Sequence, residues 1–171
     1  MRSPGEKQNI RRRLLFVGLI IVAVLLQNAC GRLGAASASR AFLLVPLCVC
    51  IAMFETDVAA ALFGAFAGVL WDVSCAADGF HAVVLAVLCA VCSILINHMM
   101  RNNILTALVL CAGSVAVYEL LYMLFANALH GAALFGGLGR FYLPSFFLTL
   151  LFAPVCYAIT ALVAEKHKAR V

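Results

Sequence analysis

Two carboxylates and one imidazole lie within or beside long apolar runs of this sequence. Asp72 ends the stretch FETDVAAALFGAFAGVLWD, Glu119 lies in the apolar run that starts at Ile104, and His81 opens another. Such groups can hydrogen-bond, bind a cation or transfer a proton. A carboxylate at the middle of a membrane helix costs roughly 2.5 to 3.5 kcal/mol on insertion scales, so it normally faces protein and finds a partner. These three residues are the first candidates for a functional cluster.

Helical geometry predicts that these groups share one depth. At a rise of 1.5 Å per residue, Asp72 lies about 21 Å beyond Val58, and Glu119 about 22 Å beyond Ile104. Gly79 and His81 follow Asp72 after a short loop. We therefore expect a polar cluster near the outer leaflet, made of Asp72, Gly79, His81 and Glu119. The alternative for Asp72 is simple solvation at the membrane interface.

The two tyrosines beside Glu119 allow two interpretations. Tyr118 directly precedes it and Tyr122 follows three residues later, so a phenol could hydrogen-bond its carboxylate. Tyrosines are also enriched in the aromatic belts at membrane interfaces.

Small residues recur every fourth position before Asp72. Ala60, Gly64 and Gly68 lie on one helical face and leave a shallow groove beside the carboxylate. Such stripes let a second helix approach closely, and they are frequent in ordinary membrane-helix packing. We expect the groove to hold a helix, either from this chain or from a partner protein.

Signatures of catalysis and of cofactor binding are missing from the sequence. It contains no HExxH, GxSxG, P-loop or GxGD motif, and no serine that would meet a histidine and an acid on facing helices. We therefore expect no enzymatic activity and no cofactor.

The eight cysteines do not form a metal-binding pattern. Six of them lie inside apolar runs, where cysteine behaves as a small hydrophobic residue. Cys89 and Cys92 share a helical face, but no second pair of ligands completes a zinc site. Cys30 and Cys75 both fall at the expected outer surface and form a possible disulfide.

The overall composition is that of an integral membrane protein. Of 171 residues, 66% are hydrophobic and only 11% charged, which exceeds what a soluble core of this size requires. A net charge of +5 raises the possibility of nucleic-acid binding, but the basic residues gather at the termini and in short loops. That distribution is typical of membrane topology, so we exclude nucleic acid as a partner.

Six apolar runs predict an all-α protein with six transmembrane helices. Their lengths and the lack of period-two alternation exclude membrane-spanning strands. Pro46 and Pro154 fall inside their predicted spans and are expected to kink them. The predicted spans are 14–28, 41–54, 58–73, 81–97, 104–126 and 143–164.

Two of these spans are short, and 41–73 could be read as a single helix. That helix would be roughly 50 Å long, with Glu55 and Asp57 buried midway, so two short helices joined by Glu-Thr-Asp are preferred.

The basic residues predict the orientation. With six spans and the N-terminus inside, nine lysines and arginines lie on the inner side and three on the outer side. The sequence thus divides into a basic cytoplasmic segment 1–13, a membrane domain 14–164 and a basic cytoplasmic tail 165–171. Arg11, Arg12, Arg13 and Arg101 are expected to be topology anchors. A partner contact is a second option for Arg101.

The order of several motifs resembles one family of bacterial membrane proteins. The chain has LLQ at 25–27, a proline in the second span, GAFAGVLWD at 64–72, GFHA at 79–82 and YELLY at 118–122. This series, over nearly the whole chain, resembles the MreD family of rod shape-determining proteins.

The resemblance implies a non-catalytic scaffold in the inner membrane, within the cell-elongation machinery that synthesises peptidoglycan. The implied partner is MreC, followed by RodA and a class B penicillin-binding protein, with the MreB filament reached through the complex and membrane lipid around it.

The MreD family is also similar in fold to the S components of energy-coupling-factor transporters. An S-component-like subunit that binds a vitamin or another small molecule is therefore the alternative function. Those subunits often dock through an AxxxA-like stripe on the first helix. Gly18 and Ala23 are five residues apart here, so no such stripe forms.

Overall fold

A computed structural model describes residues 4–33, 42–75, 79–98, 103–130 and 143–166. In these ranges the chain forms six α-helices and no strand, which confirms the all-α prediction. The helices are α1 (Pro4–Leu33), α2 (Leu44–Ala52), α3 (Asp57–Cys75), α4 (Phe80–His98), α5 (Ile104–His130) and α6 (Leu143–Lys166).

Four helices are long and apolar enough to cross a membrane. They are α3, α4, the segment Ile104–Phe125 of α5 and the segment Ser145–Lys166 of α6, with mean hydropathies of 1.7 to 2.4. Each leaves more than half of its apolar window unburied by the protein, as a lipid-facing helix does. The chain is therefore a helical membrane protein, and the predicted spans 58–73, 81–97, 104–126 and 143–164 coincide with these four helices.

The first two predicted spans differ from the helices that form. α1 begins at Pro4, so the helix starts ten residues before the predicted span 14–28. α2 has nine residues, which is about 14 Å of helix. The prediction of a span over 41–54 is wrong in extent, because Phe42, Leu43, Met53 and Phe54 lie outside the helix. The preference for two helices over one long one is confirmed.

The two prolines act differently. Pro154 lies inside α6, as predicted. Pro46 is the third residue of α2, where the missing N–H belongs to the unpaired first turn, so the predicted kink at this position is wrong.

α2 lies at the centre of the molecule. All nine of its residues are buried, and it contacts every one of the other five helices. Around α2, each of the other helices contacts the next one: α1 contacts α3, α3 contacts α4, α4 contacts α5, α5 contacts α6, and α6 contacts α1. Five helices therefore surround α2. Its sequence LVPLCVCIA is apolar on every side, which is the pattern of a fully enclosed helix.

Consecutive helices run in opposite directions between two ends of this body. One end, which we call the arginine end, contains Arg12, Glu55, Asp57 and Asn97. Arg12 forms an ion pair with Glu55, and Asn97 donates a hydrogen bond to Asp57. The aromatic end holds Phe42, Trp71, Asp72, His81 and Tyr118.

α6 shows which end each terminus approaches. At the aromatic end, Thr149 Oγ1 accepts a hydrogen bond from Phe42 N–H at 3.0 Å. Further along α6, the ring of Tyr157 packs against Phe54, which directly precedes Glu55 at the arginine end. The first residues of α1 and the last residues of α6 therefore lie at the same end.

Candidate functional site

The small-residue groove on α3 is filled by α4. A methyl group built on Gly64 would lie 2.9 Å from Cys89 Sγ and closer still to Leu85 O, and Gly68 faces the backbone of His81 and Ala82 equally closely. Ala60 is also fully buried. Of the two alternatives for this groove, an internal helix or a partner helix, the internal helix α4 occupies it at Gly64 and Gly68.

Asp72 caps the start of α4 from the neighbouring helix. Its Oδ1 accepts a hydrogen bond from His81 N–H at 3.2 Å, and its Oδ2 accepts one from Ala82 N–H at 2.9 Å. The first N–H groups of a helix have no partner within it and carry partial positive charge, so a carboxylate there is favourable. Asp72 is buried, so simple solvation at the interface does not describe it.

Gly79 allows the chain to turn directly before α4. Its φ of +82° lies in the left-handed region, which residues with a side chain rarely adopt. This turn brings His81 and Ala82 to Asp72 after a loop of only a few residues.

His81 extends the network from α4 to α5. Its Nδ1 and the Tyr118 hydroxyl are 3.1 Å apart. The His81 ring stacks on Trp71 with centroids 4.5 Å apart, and Trp71 stacks on Tyr118 at 5.5 Å. Asp72, His81 and Tyr118 thus connect α3, α4 and α5.

Glu119 does not join this network. It is buried, but its Oε1 has no hydrogen-bond partner among the residues described. The hydroxyl of Tyr118 contacts His81, and no bond from it to Glu119 is present among the described residues. Among the described residues, no hydrogen bond joins Glu119 to Asp72 or His81.

A second polar cluster at the arginine end went unrecognised in the sequence. Arg12 Nη2 lies 2.7 Å from Glu55 Oε1, and Arg13 Nε lies 3.4 Å from Glu55 Oε2. The Glu55 side chain is 1% exposed, against 18% for Arg12 and 52% for Arg13. Arg12 is therefore an ion-pair partner of a buried acid as well as a candidate topology anchor, whereas Arg11 is exposed.

Two polar residues of α4 complete the arginine end. Ser93 Oγ donates to the backbone O of Glu55 and lies 2.8 Å from Asp57 Oδ1, to which Asn97 Nδ2 donates at 2.7 Å. These bonds hold the turn between α2 and α3 against the end of α4.

The start of α2 is held in the same way by a side chain from α1. Gln27 Oε1 accepts a hydrogen bond from Leu44 N–H at 3.0 Å. Inside a membrane an unpaired backbone group costs several kcal/mol, so a short internal helix needs such partners at its ends. Gln27 belongs to the LLQ motif, which thereby acquires a structural role.

Five of the described cysteines are buried in the protein interior. Cys48, Cys50, Cys89, Cys92 and Cys111 are buried free thiols. Among the described residues, no three His, Cys, Asp or Glu side chains come close enough together to hold a metal ion.

Two sequence predictions involve residues outside the part of the chain that the structure describes in full. Cys75 is an exposed free thiol, but its proposed partner Cys30 has no described side chain. Arg101 lies outside the described residues.

Comparisons of the chain with protein-family models, curated proteins and solved structures found no match.

Proposed function

We propose that this chain is a non-catalytic membrane scaffold of the bacterial cell-elongation machinery, as its resemblance to the MreD family implies. In this role it binds MreC and links it to RodA and a class B penicillin-binding protein. The MreB filament is reached through that complex.

The observation that supports this proposal is the shared role of the motif residues. α4 packs against Gly64 and Gly68, and Asp72 caps its first turn. Gly79 forms the turn before α4, and His81 on α4 contacts α5. Each of these contacts lies within the chain. A sequence motif used to fix helices against one another suits a protein whose task is to present a stable surface to partners.

We propose six membrane crossings in the inner membrane, with both termini in the cytoplasm. The alternating helix directions and the common end of the termini support an even number of crossings. α2 contributes a short crossing inside the protein, since its buried residues do not need to span lipid by themselves. Reporter fusions at Thr56 and at the C-terminus test this topology, because both positions should report the cytoplasmic side.

The cellular experiment is depletion of the chain followed by complementation in a rod-shaped native host. Depletion should round the cells, and the wild-type gene should restore rods. Gly68→Leu should fail to restore them, because its side chain would collide with α4. Arg101→Gln, which alters one basic residue, should have a milder effect.

Gly113→Leu is the matched control for this experiment. Gly113 is also a helical glycine, but a methyl group built there meets no atom within 4 Å. Cells that stay rod-shaped after depletion, or that Gly68→Leu restores as well as Gly113→Leu does, would contradict the proposal.

The alternative function is capture of a vitamin or similar molecule by an S-component-like fold. Its support is the family-level likeness alone. Equilibrium binding of water-soluble vitamins to the purified chain separates the two proposals, since the scaffold requires no such ligand.

A further inference from the structure

A cavity opens at the arginine end, between α1, the turn after α2 and the end of α4. It has a volume of about 420 Å³, which lies within the range of small-molecule sites. Its polar lining comes from Asn9, Arg12, Arg13, Glu55, Thr56 and Asn97.

The charges of this lining favour an anion. Two arginines face one carboxylate, and Arg12 uses both Nε and Nη2 on Glu55 Oε1. Arg13 interacts with Glu55 less closely than Arg12 does, since its Nε lies 3.4 Å from Glu55 Oε2 and its side chain is half exposed. The nearby Asp57 carboxylate already contacts Ser93 and Asn97. Arg13 can therefore offer its remaining donors to a phosphate, whose oxygens suit the guanidinium geometry.

Exposed apolar side chains closely follow the lining residues Arg13 and Thr56 in the sequence. Leu14 directly follows Arg13 and is 65% exposed, while Val58 and Leu62 follow Thr56 on α3 and are 74% and 66% exposed. A soluble anion would use only the polar cavity. A phospholipid would use both surfaces, with its headgroup beside Arg13 and its acyl chains along Leu14, Val58 and Leu62.

We propose that this cavity binds the headgroup of an anionic phospholipid, with Arg13 as the residue that recognises the phosphate. Basic pockets between membrane helices are a known type of headgroup site. The proposal does not depend on the scaffold function, because it rests only on the arginine end.

The test is lipid binding to the full chain in neutral detergent micelles, followed by native mass spectrometry. Phosphatidylglycerol and phosphatidylcholine with identical acyl chains are the probes. The wild-type chain should prefer phosphatidylglycerol. Arg13→Gln should weaken its binding about fivefold, the change expected for one arginine at a membrane surface, and Arg13→Lys should retain most of it.

Arg11→Gln is the matched control, since it removes the same charge from an exposed residue outside the cavity lining. It should weaken the binding of phosphatidylglycerol less than Arg13→Gln does. Glu55 keeps Arg12 as its partner in Arg13→Gln, so that variant should remain folded, which the fluorescence of Trp71 verifies.

Three results would overturn the proposal. They are equal losses in Arg11→Gln and Arg13→Gln, equal binding of the two lipids, and displacement of phosphatidylglycerol by millimolar inorganic phosphate. The last would identify a soluble anion as the occupant.

Discussion

Replacing Gly68 by alanine perturbs the contact between α3 and α4 with a single methyl group. That methyl would lie 2.5 Å from His81 O and 2.6 Å from Ala82 N, both in the backbone of α4. These separations are about 1 Å short of ordinary contact. Because a helix backbone cannot rotate out of the way, the two helices must move apart.

The same displacement weakens the cap at Asp72. Asp72 accepts hydrogen bonds from His81 and Ala82 at 3.2 and 2.9 Å, so a movement of about 1 Å takes both beyond bonding distance. Overpacking costs roughly 1 to 3 kcal/mol and loss of a helix cap roughly 1 kcal/mol. We expect Gly68→Ala to lower the free energy of unfolding by about 2 to 4 kcal/mol.

The assay is unfolding in mixed micelles of increasing sodium dodecyl sulfate content, followed by Trp71 fluorescence. Trp71 is the sole tryptophan and stacks on His81 at this contact. Gly113→Ala is the control, because its methyl meets no atom within 4 Å and helix propensity favours alanine by up to about 1 kcal/mol. If Gly68→Ala unfolds at the same detergent content as Gly113→Ala, the close α3–α4 contact is refuted.

Two further substitutions test the two ends of the molecule in the same assay. Asp72→Ala should lower the free energy of unfolding by about 1 to 2 kcal/mol, because two N–H groups lose their acceptors. Asp72→Asn keeps one acceptor and should lower it less. Equal losses in the two variants would contradict the cap. Arg12→Gln should cost about 3 kcal/mol because it leaves Glu55 buried with only the longer Arg13 contact. The double variant Arg12→Gln, Glu55→Gln should recover part of that loss, and a double variant no more stable than the single one would exclude the ion pair as its cause.

The position of a residue along its helix could be predicted from the sequence because helical rise fixes it. Asp72 and His81 flank a short loop, so they had to lie at one level, and they do contact each other. Glu119 reaches the same level, but depth alone does not determine which side of α5 faces which neighbour. Its separation from His81 follows from the rotation of that helix, which the sequence of α5 does not specify.

The extent of α2 could not be predicted from hydropathy. Residues 42–43 and 53–54 are as apolar as the helix they flank, so the apolar run does not mark the helix ends. Those ends depend on Gln27 and Thr149 at one side and on Arg12, Arg13 and Ser93 around Glu55 at the other. These partners are distant in sequence, and only the packing of five helices around α2 brings them to it.

The Arg12–Glu55 pair was missed for the same reason. The sequence shows a basic triplet before one apolar run and an acid after the next. Two antiparallel apolar runs of similar length, here 14–28 and 41–54, bring such ends together, so this pattern is a usable signal for an ion pair.

Capture of the tagged full-length chain from gently solubilised native membranes tests the scaffold proposal most directly. MreC should be recovered with the wild-type chain and with Gly113→Leu, and should be lost with Gly68→Leu. Recovery of a folded wild-type chain without MreC, RodA or a penicillin-binding protein would contradict the proposal.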